Sequence, residues 1–167
     1  QGYIYARYDN PNRRSLESKL AMMENGKVCV SFSSGLAAAT AVFQSLKTGD
    51  HIILPDDTYF SIRSILDTMF SAFGLSYTLV DMHNLNNLQQ AIQPNTKLIW
   101  METPSNPLIK VTDITAVVAI AKQHNCFTVA DNTWATPFNT KPLELGVDIS
   151  LHSTTKYLGG HSDILGG

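Results

Sequence analysis

The chain has no apolar run near the roughly 20 residues needed to cross a bilayer as a helix, and no cluster of basic residues beyond the neighbours Arg13 and Arg14. The first absence excludes a membrane-spanning helix from this sequence. The second, with a formal net charge of −2 over 167 residues, leaves no electrostatic footprint for nucleic acid. Cysteine is scarce. Cys29 and Cys126 are the only two, each inside an apolar stretch (KVCVSF and NCFTVAD), which argues for reduced, buried thiols rather than a disulfide framework. No leader-like segment opens the chain, and a cytoplasmic location is the expectation. The sequence starts at Gln1 without methionine and stops on Gly166–Gly167, so a piece of a longer polypeptide is expected.

What is present is ordinary for a folded α/β protein: 44% hydrophobic and 16% charged residues. Residues 11–25 place Leu16, Leu20 and Met23 at helical spacing, with Gly26 as a stop. VCVSF (28–32) reads as a strand. Residues 34–50 put Leu36, Ala39, Phe43 and Leu46 on one helical face, closed by Gly49. HIILP (51–55) is the next strand, and residues 61–73 form a helix with Ile62, Ile65, Met69 and Phe73 in register, ended by Gly74. Strand YTLVD (77–81), helix NLNNLQQAI (84–92), strand KLIWME (97–102), a helix over 113–125 capped by Asp113, and strands CFTVAD (126–131) and DISLHS (148–153) complete the pattern. Alternating apolar strands and amphipathic helices predict an α/β fold: one domain with a mostly parallel sheet flanked by helices.

In such sheets ligands collect beyond the carboxyl ends of the strands, and polar residues follow each strand here. They are Ser33-Ser34-Gly35-Leu36, Asp56-Asp57-Thr58-Tyr59, Thr103-Pro104-Ser105-Asn106-Pro107, Asp131-Asn132-Thr133 and Ser153-Thr154-Thr155-Lys156. SSGLAA lacks a phosphate-loop GxxxxGK[ST], a dinucleotide fingerprint and a GxSxG elbow. It can still receive an anion at a helix N-terminus, or Ser34 can be a plain N-cap. Asp131 is either a solvated turn residue or a carboxylate aimed at a cation.

Lys156 is either a surface lysine or a reactive amine. Its neighbours are hydroxyls able to grip phosphate (Ser153, Thr155) and a Gly159–Gly160 pair leaving room for a ring. A reactive lysine, an aspartate for a pyridinium nitrogen, a phosphate cup and a stacking aromatic, Tyr59, are the protein side of pyridoxal 5′-phosphate (PLP) chemistry. A metal-dependent hydrolase using His152, His161, Asp163 and Asp131 is the competing enzyme reading, although the histidines match no zinc spacing. A non-catalytic binding module is the third. Trp100 and Trp134 read as core or interface residues.

The segments YARYDNP (5–11), SSGLAA (33–38), DDTY (56–59), ETPSNP (102–107), DNTWATP (131–137) and STTKYLGGHSD (153–163) resemble the PLP enzymes of Cys/Met metabolism, the transsulfuration family. The resemblance implies a large domain of aspartate-aminotransferase type (PLP fold type I) over 1–167. An N-terminal arm over about 1–25 belongs to it, and a separate C-terminal domain would supply the arginine for the substrate carboxylate.

It also implies roles. Lys156 would bond the cofactor aldehyde and shuttle protons, Asp131 would pair with the pyridine nitrogen, and Tyr59 would stack on the ring and serve as an acid. Gly35, Leu36, Ser153 and Thr155 would hold the phosphate, with Ser34 and Thr133 in the same cradle. Tyr5 and Arg7 would reach the neighbouring subunit's cofactor within a homotetramer, a dimer of catalytic dimers. Asn106 would lie by the cofactor and the substrate carboxylate. The expected substrate is a small amino acid, with chemistry at C–S or C–O bonds of cystathionine or homoserine esters, and no metal, nucleic acid or membrane partner. Two positions depart from the family pattern: Phe60-Ser61-Ile62 replaces the usual residues after the stacking tyrosine, and Asp9 replaces a glycine.

Overall fold

A computed structural model describes residues 2–167; Gln1, where the expected arm begins, lies outside the described residues. Asn10 caps α1 (Pro11–Glu24), its side chain accepting from the amides of Asn12 and Arg13, and Asn25 ends the helix in the left-handed region at φ 55°. Ser34 caps α2 (Gly35–Gln44). Then β1 (His51–Pro55), α3 (Phe60–Thr68), β2 (Ser76–Val80), α4 (Leu85–Ala91), β3 (Thr96–Glu102), α5 (Ile114–Gln123), β4 (Phe127–Asp131), α6 (Thr136–Asn139) and β5 (Ile149–Leu151) follow in turn. One-turn 3₁₀ helices stand at Phe70–Phe73 and Pro142–Leu145.

All pairings are parallel and the sheet order is β2-β1-β3-β4-β5. Both faces are covered, so the strands read as continuous apolar runs. Ile52, Leu54, Leu98, Trp100 and Val129 pack toward α2 and α3, while Ile53, Ile99, Met101 and Ala130 pack toward α4 and α5. The chain moves outward from β1 to β2 and returns to place β3 on β1's other side. That reversal puts a crevice between the carboxyl ends of β1 and β3, the position where such sheets bind ligands.

Four sequence expectations are corrected. Residues 28–32 are extended but form no strand: only Phe32 pairs, exchanging both backbone bonds with Gly167 (2.8 and 3.0 Å), and Val28 and Val30 stay exposed. A β-branched run becomes a strand only when a partner satisfies its backbone. α2 stops at Gln44, and Gly49 instead turns at φ 91° against Gly74. The buried stripe of α3 and its 3₁₀ extension is Ile62, Leu66 and Phe70, leaving Met69 and Phe73 exposed, because the helix tightens after Thr68. Finally, α1 buries Glu24 rather than an apolar stripe, with Leu16 and Met23 largely open to solvent.

Two expectations on isolated residues also resolve. Both cysteines are free thiols, Cys126 buried and Cys29 half-buried outside any strand. Trp100 is a core residue, 5.4 Å from the Phe43 ring.

Candidate active site

The carboxyl edge of the sheet collects the residues singled out in sequence. At the end of β4, Asp131 Oδ1 accepts from the Thr133 amide (3.0 Å), and Thr133 Oγ1 in turn accepts from the Ser153 amide (2.8 Å) beyond β5. Thr133 thereby locks two strand ends together. Burial pushes the Asp131 carboxyl above its ordinary range, only partly offset by Thr133. A carboxylate so desolvated is restored to its charged form by a cation placed against it.

Ser153 also marks the phosphate end. A Cβ on Gly35 would lie 2.8 Å from Ser153 Cβ, so only glycine lets the first turn of α2 come so close to that loop. Gly35 and Leu36 thus present helix-start amides beside Ser153, with no hydrogen-bond partner among the described residues. The Ser34 hydroxyl accepts from the Ala37 amide (3.0 Å), which makes Ser34 the N-cap. The Thr155 hydroxyl donates to the Gly166 carbonyl (3.2 Å) and accepts from the Gly166 amide (3.0 Å).

Lys156 lies in a compact turn, its amide bonding the Ser153 carbonyl (3.1 Å) and its own carbonyl receiving the Gly160 amide (2.9 Å). Its side chain is exposed at the same edge. Next to it, Tyr157 packs on Trp134, with ring centroids 5.6 Å apart, so Trp134 belongs to the site's surroundings rather than to the core.

Across the β1–β3 crevice stand Tyr59, about half exposed, and Asn106, exposed. One residue that sequence reasoning missed holds both. Glu102, ending β3 opposite Asp131 of β4, accepts from the Tyr59 amide (2.9 Å) and Thr58 hydroxyl (3.2 Å) at Oε2, and from the Asn106 amide (2.9 Å) at Oε1. Burial lifts its carboxyl to about 7; repulsion from Asp131 adds to the rise, and the bonds from Tyr59, Asn106 and Thr58 oppose it. The available signal was a second acidic residue closing an apolar strand, as Asp131 does.

Glu24 was also missed, since a helix-end glutamate reads as surface. Its Oε1 accepts from His152 Nε2 (2.5 Å), Asn132 Nδ2 (2.9 Å) and Ser150 Oγ (3.0 Å). α1 is thereby tied beneath the Asp131 and Ser153 loops. His152 is committed to this network and His161 donates to the Gly159 carbonyl, so the grouping considered for a metal hydrolase is not assembled.

The recorded contacts of Tyr5 and Arg7 run within the arm: the Arg7 guanidinium sits 5.0 Å from the Tyr5 ring centroid and 5.8 Å from that of Tyr8.

These features fit PLP: a desolvated, half-buried carboxylate with no ion pair among the described residues, a glycine-lined helix start for phosphate, an exposed tyrosine ring and an exposed lysine beside the cup. Comparison with known proteins agrees. The family model for Cys/Met metabolism PLP-dependent enzymes matches residues 1–167. The chain is 46% identical over 166 residues to a probable cystathionine gamma-synthase of Herpetosiphon aurantiacus, covering 99% of this chain and 52% of that protein. It is 50% identical over 165 residues to the cystathionine beta-lyase MetC of Staphylococcus haemolyticus, covering 99% and 42%.

The crystal structure of cystathionine gamma-lyase from Lactobacillus plantarum complexed with L-serine superposes with a TM-score of 0.97 at 44% identity, over 99% of this chain and 44% of that one. The chain thus spans about half the length, or less, of these relatives. With fold, site and sequence in agreement, the chain belongs to the Cys/Met metabolism family of PLP-dependent enzymes.

Proposed function

We propose that the whole protein is a PLP-dependent enzyme of sulfur amino-acid metabolism that acts at C–S or C–O bonds of cystathionine or homoserine esters, as a cystathionine γ-synthase or a cystathionine lyase. The carrying observation is the chain of contacts from Asp131 through Thr133 to Ser153, three residues ahead of Lys156. It joins a half-buried, desolvated carboxylate to the loop that packs on the α2 start, which supports a partner for the ring nitrogen and a phosphate cup on the lysine's side of the sheet edge. The names of the three relatives share cystathionine, which supports cystathionine as the molecule formed or cleaved.

When bound, the cofactor supplies an aldehyde for an amine and a protonated ring that draws electrons from the substrate α-carbon. Asp131 holds the proton on the ring nitrogen, since an opposite charge favours its ionised state. Gly35, Leu36 and Ser153 hold the phosphate at the start of α2. Tyr59 would cover the ring face and would be the acid for the leaving group, a thiol where cystathionine is cleaved. Lys156 Nζ, once free, accepts the proton from the substrate α-carbon and redelivers it. Asn106 orients the substrate carboxylate.

Tyr5 and Arg7, projecting on an exposed arm, support an assembly in which they serve a neighbouring subunit, in a cytoplasmic homotetramer of catalytic dimers. The chain itself is the large domain with its arm, and the carboxylate-gripping arginine belongs to a further domain. The test is to give the full-length protein L-cystathionine and, separately, a homoserine ester with cysteine, and to identify the products. Pyruvate with homocysteine marks a β-lyase, and 2-oxobutanoate with cysteine a γ-lyase. Cystathionine formed from a homoserine ester and cysteine marks a synthase. If none of the three reactions is found, the reading is refuted in favour of a sulfhydrylase or methionine lyase.

A further inference from the structure

We infer that Glu102 is the positioning residue that sets both walls of the ring site at once, an inference that rests on the PLP reading above. Glu102 is 6% exposed and ends β3 at the crevice where the sheet order reverses. Its two oxygens face in different directions. Oε2 takes the backbone amide of Tyr59, the stacking residue, and Oε1 takes that of Asn106, on the substrate side.

Both donors are N–H groups that can only donate, so both oxygens must accept. A carboxylate meets that demand. A glutamine does not, since its NH₂ must face one of the two amides, leaving a buried donor unmet. The loops joined in this way carry further latches: the Ser105 hydroxyl donates to Asp57, the Lys110 amide donates to Ser105 Oγ (2.9 Å), and Lys110 Nζ reaches Asp56 (3.0 Å). The Asp57 and Asp56 contacts join the same two segments, while the Ser105–Lys110 bond closes the second loop on itself; none of them is made to the Tyr59 or Asn106 amide.

The experiment uses full-length holoenzyme with Glu102→Gln and Glu102→Asp. The second keeps the charge but is one methylene short of spanning both loops. Cofactor affinity is measured by equilibrium dialysis against PLP, and ring orientation by circular dichroism in the cofactor's visible band, normalised to bound PLP. Both variants are expected to lose about tenfold in affinity, the worth of one lost charged hydrogen bond, and most of the normalised dichroism.

Asp57→Asn, which touches an outer latch, is expected to keep the dichroism. In the wild-type protein the Tyr59 and Asn106 amides should gain hydrogen-exchange protection together when PLP is added, an arm that stands even where a variant does not fold. Unchanged dichroism in either Glu102 variant overturns the inference, as does protection gained at one amide alone. Wild-type protein that takes up no PLP on Lys156 overturns the functional reading and this inference together, whereas retained dichroism in the variants overturns this inference only.

Discussion

On the proposed function, Asp131 supplies a half-buried, desolvated charge and Lys156 an exposed amine. Replacing Asp131 with Asn keeps the shape and the Thr133 contact but removes the counter-charge for the ring nitrogen. Turnover of the full-length enzyme should fall about a hundredfold or more, while cofactor remains bound; unchanged kcat would refute the assigned role. Borohydride reduction of the PLP-loaded protein followed by peptide mass analysis should place the cofactor on Lys156 and nowhere else. Gly35→Ala forces a Cβ to 2.8 Å from that of Ser153, an overpacking that costs about 1–3 kcal/mol. It should lower the melting midpoint of the apoprotein and weaken PLP retention. A melting curve and a retention assay both matching wild type would show that the α2 start can retreat from Ser153.

The helices α1, α2, α4 and α5 each open on a side-chain cap. Asp113 accepts from the Ala116 amide (3.0 Å) at the start of α5, with Ile114, Val117, Val118, Ile120 and Ala121 buried behind it. Asp113→Ala should therefore cost about 1 kcal/mol, read as a drop in denaturation midpoint with unchanged slope. The expected start of α5 and the boundaries of β1 were legible because Asp113 opens the helix and the apolar run of β1 lies between Asp50 and Asp56, ending on Pro55. α6 and the 3₁₀ turns were not. TPFN and PLEL are too short to carry a period, and they form because β4 and β5 must be joined across a narrow gap. The 28–32 segment has the composition of a strand and lacks the partner, which no local pattern reveals.

For the molecule as a whole, three buried groups set opposing pH dependences. Glu102 is raised to about 7 from 4.5, so its contribution to stability is whole below pH 4.5 and is lost as pH rises through about 7. Glu24 lies below its ordinary 4.5: burial opposes ionisation, but the bonds from His152 and Asn132 outweigh it. Its contribution is present above 4.5 and lost as pH falls through the lowered value. His51, buried between Thr96 and Thr78, is lowered from 6.5 by burial, and its contribution is present above 6.5 and lost as pH falls. Glu102→Gln should flatten the stability loss between pH 4.5 and about 7 in denaturant titrations of the apoprotein. A slope equal to wild type over that window would show that Glu102 ionises without cost.

The amino-acid sequence by itself determined the alternation of strand and helix, the parallel sheet and the reactive motifs at the strand ends, because period, caps and turn residues act over a few neighbouring positions. Lys156, Asp131, Tyr59 and the Gly35 helix start were legible for that reason. Only the tertiary structure decided that Glu24 and Glu102 are buried. Each is a single carboxylate whose partners come from segments far apart in sequence: Asn132, Ser150 and His152 for Glu24, Thr58 and Tyr59 for Glu102. A charge is stable inside a protein only where the folded chain has gathered enough donors around it.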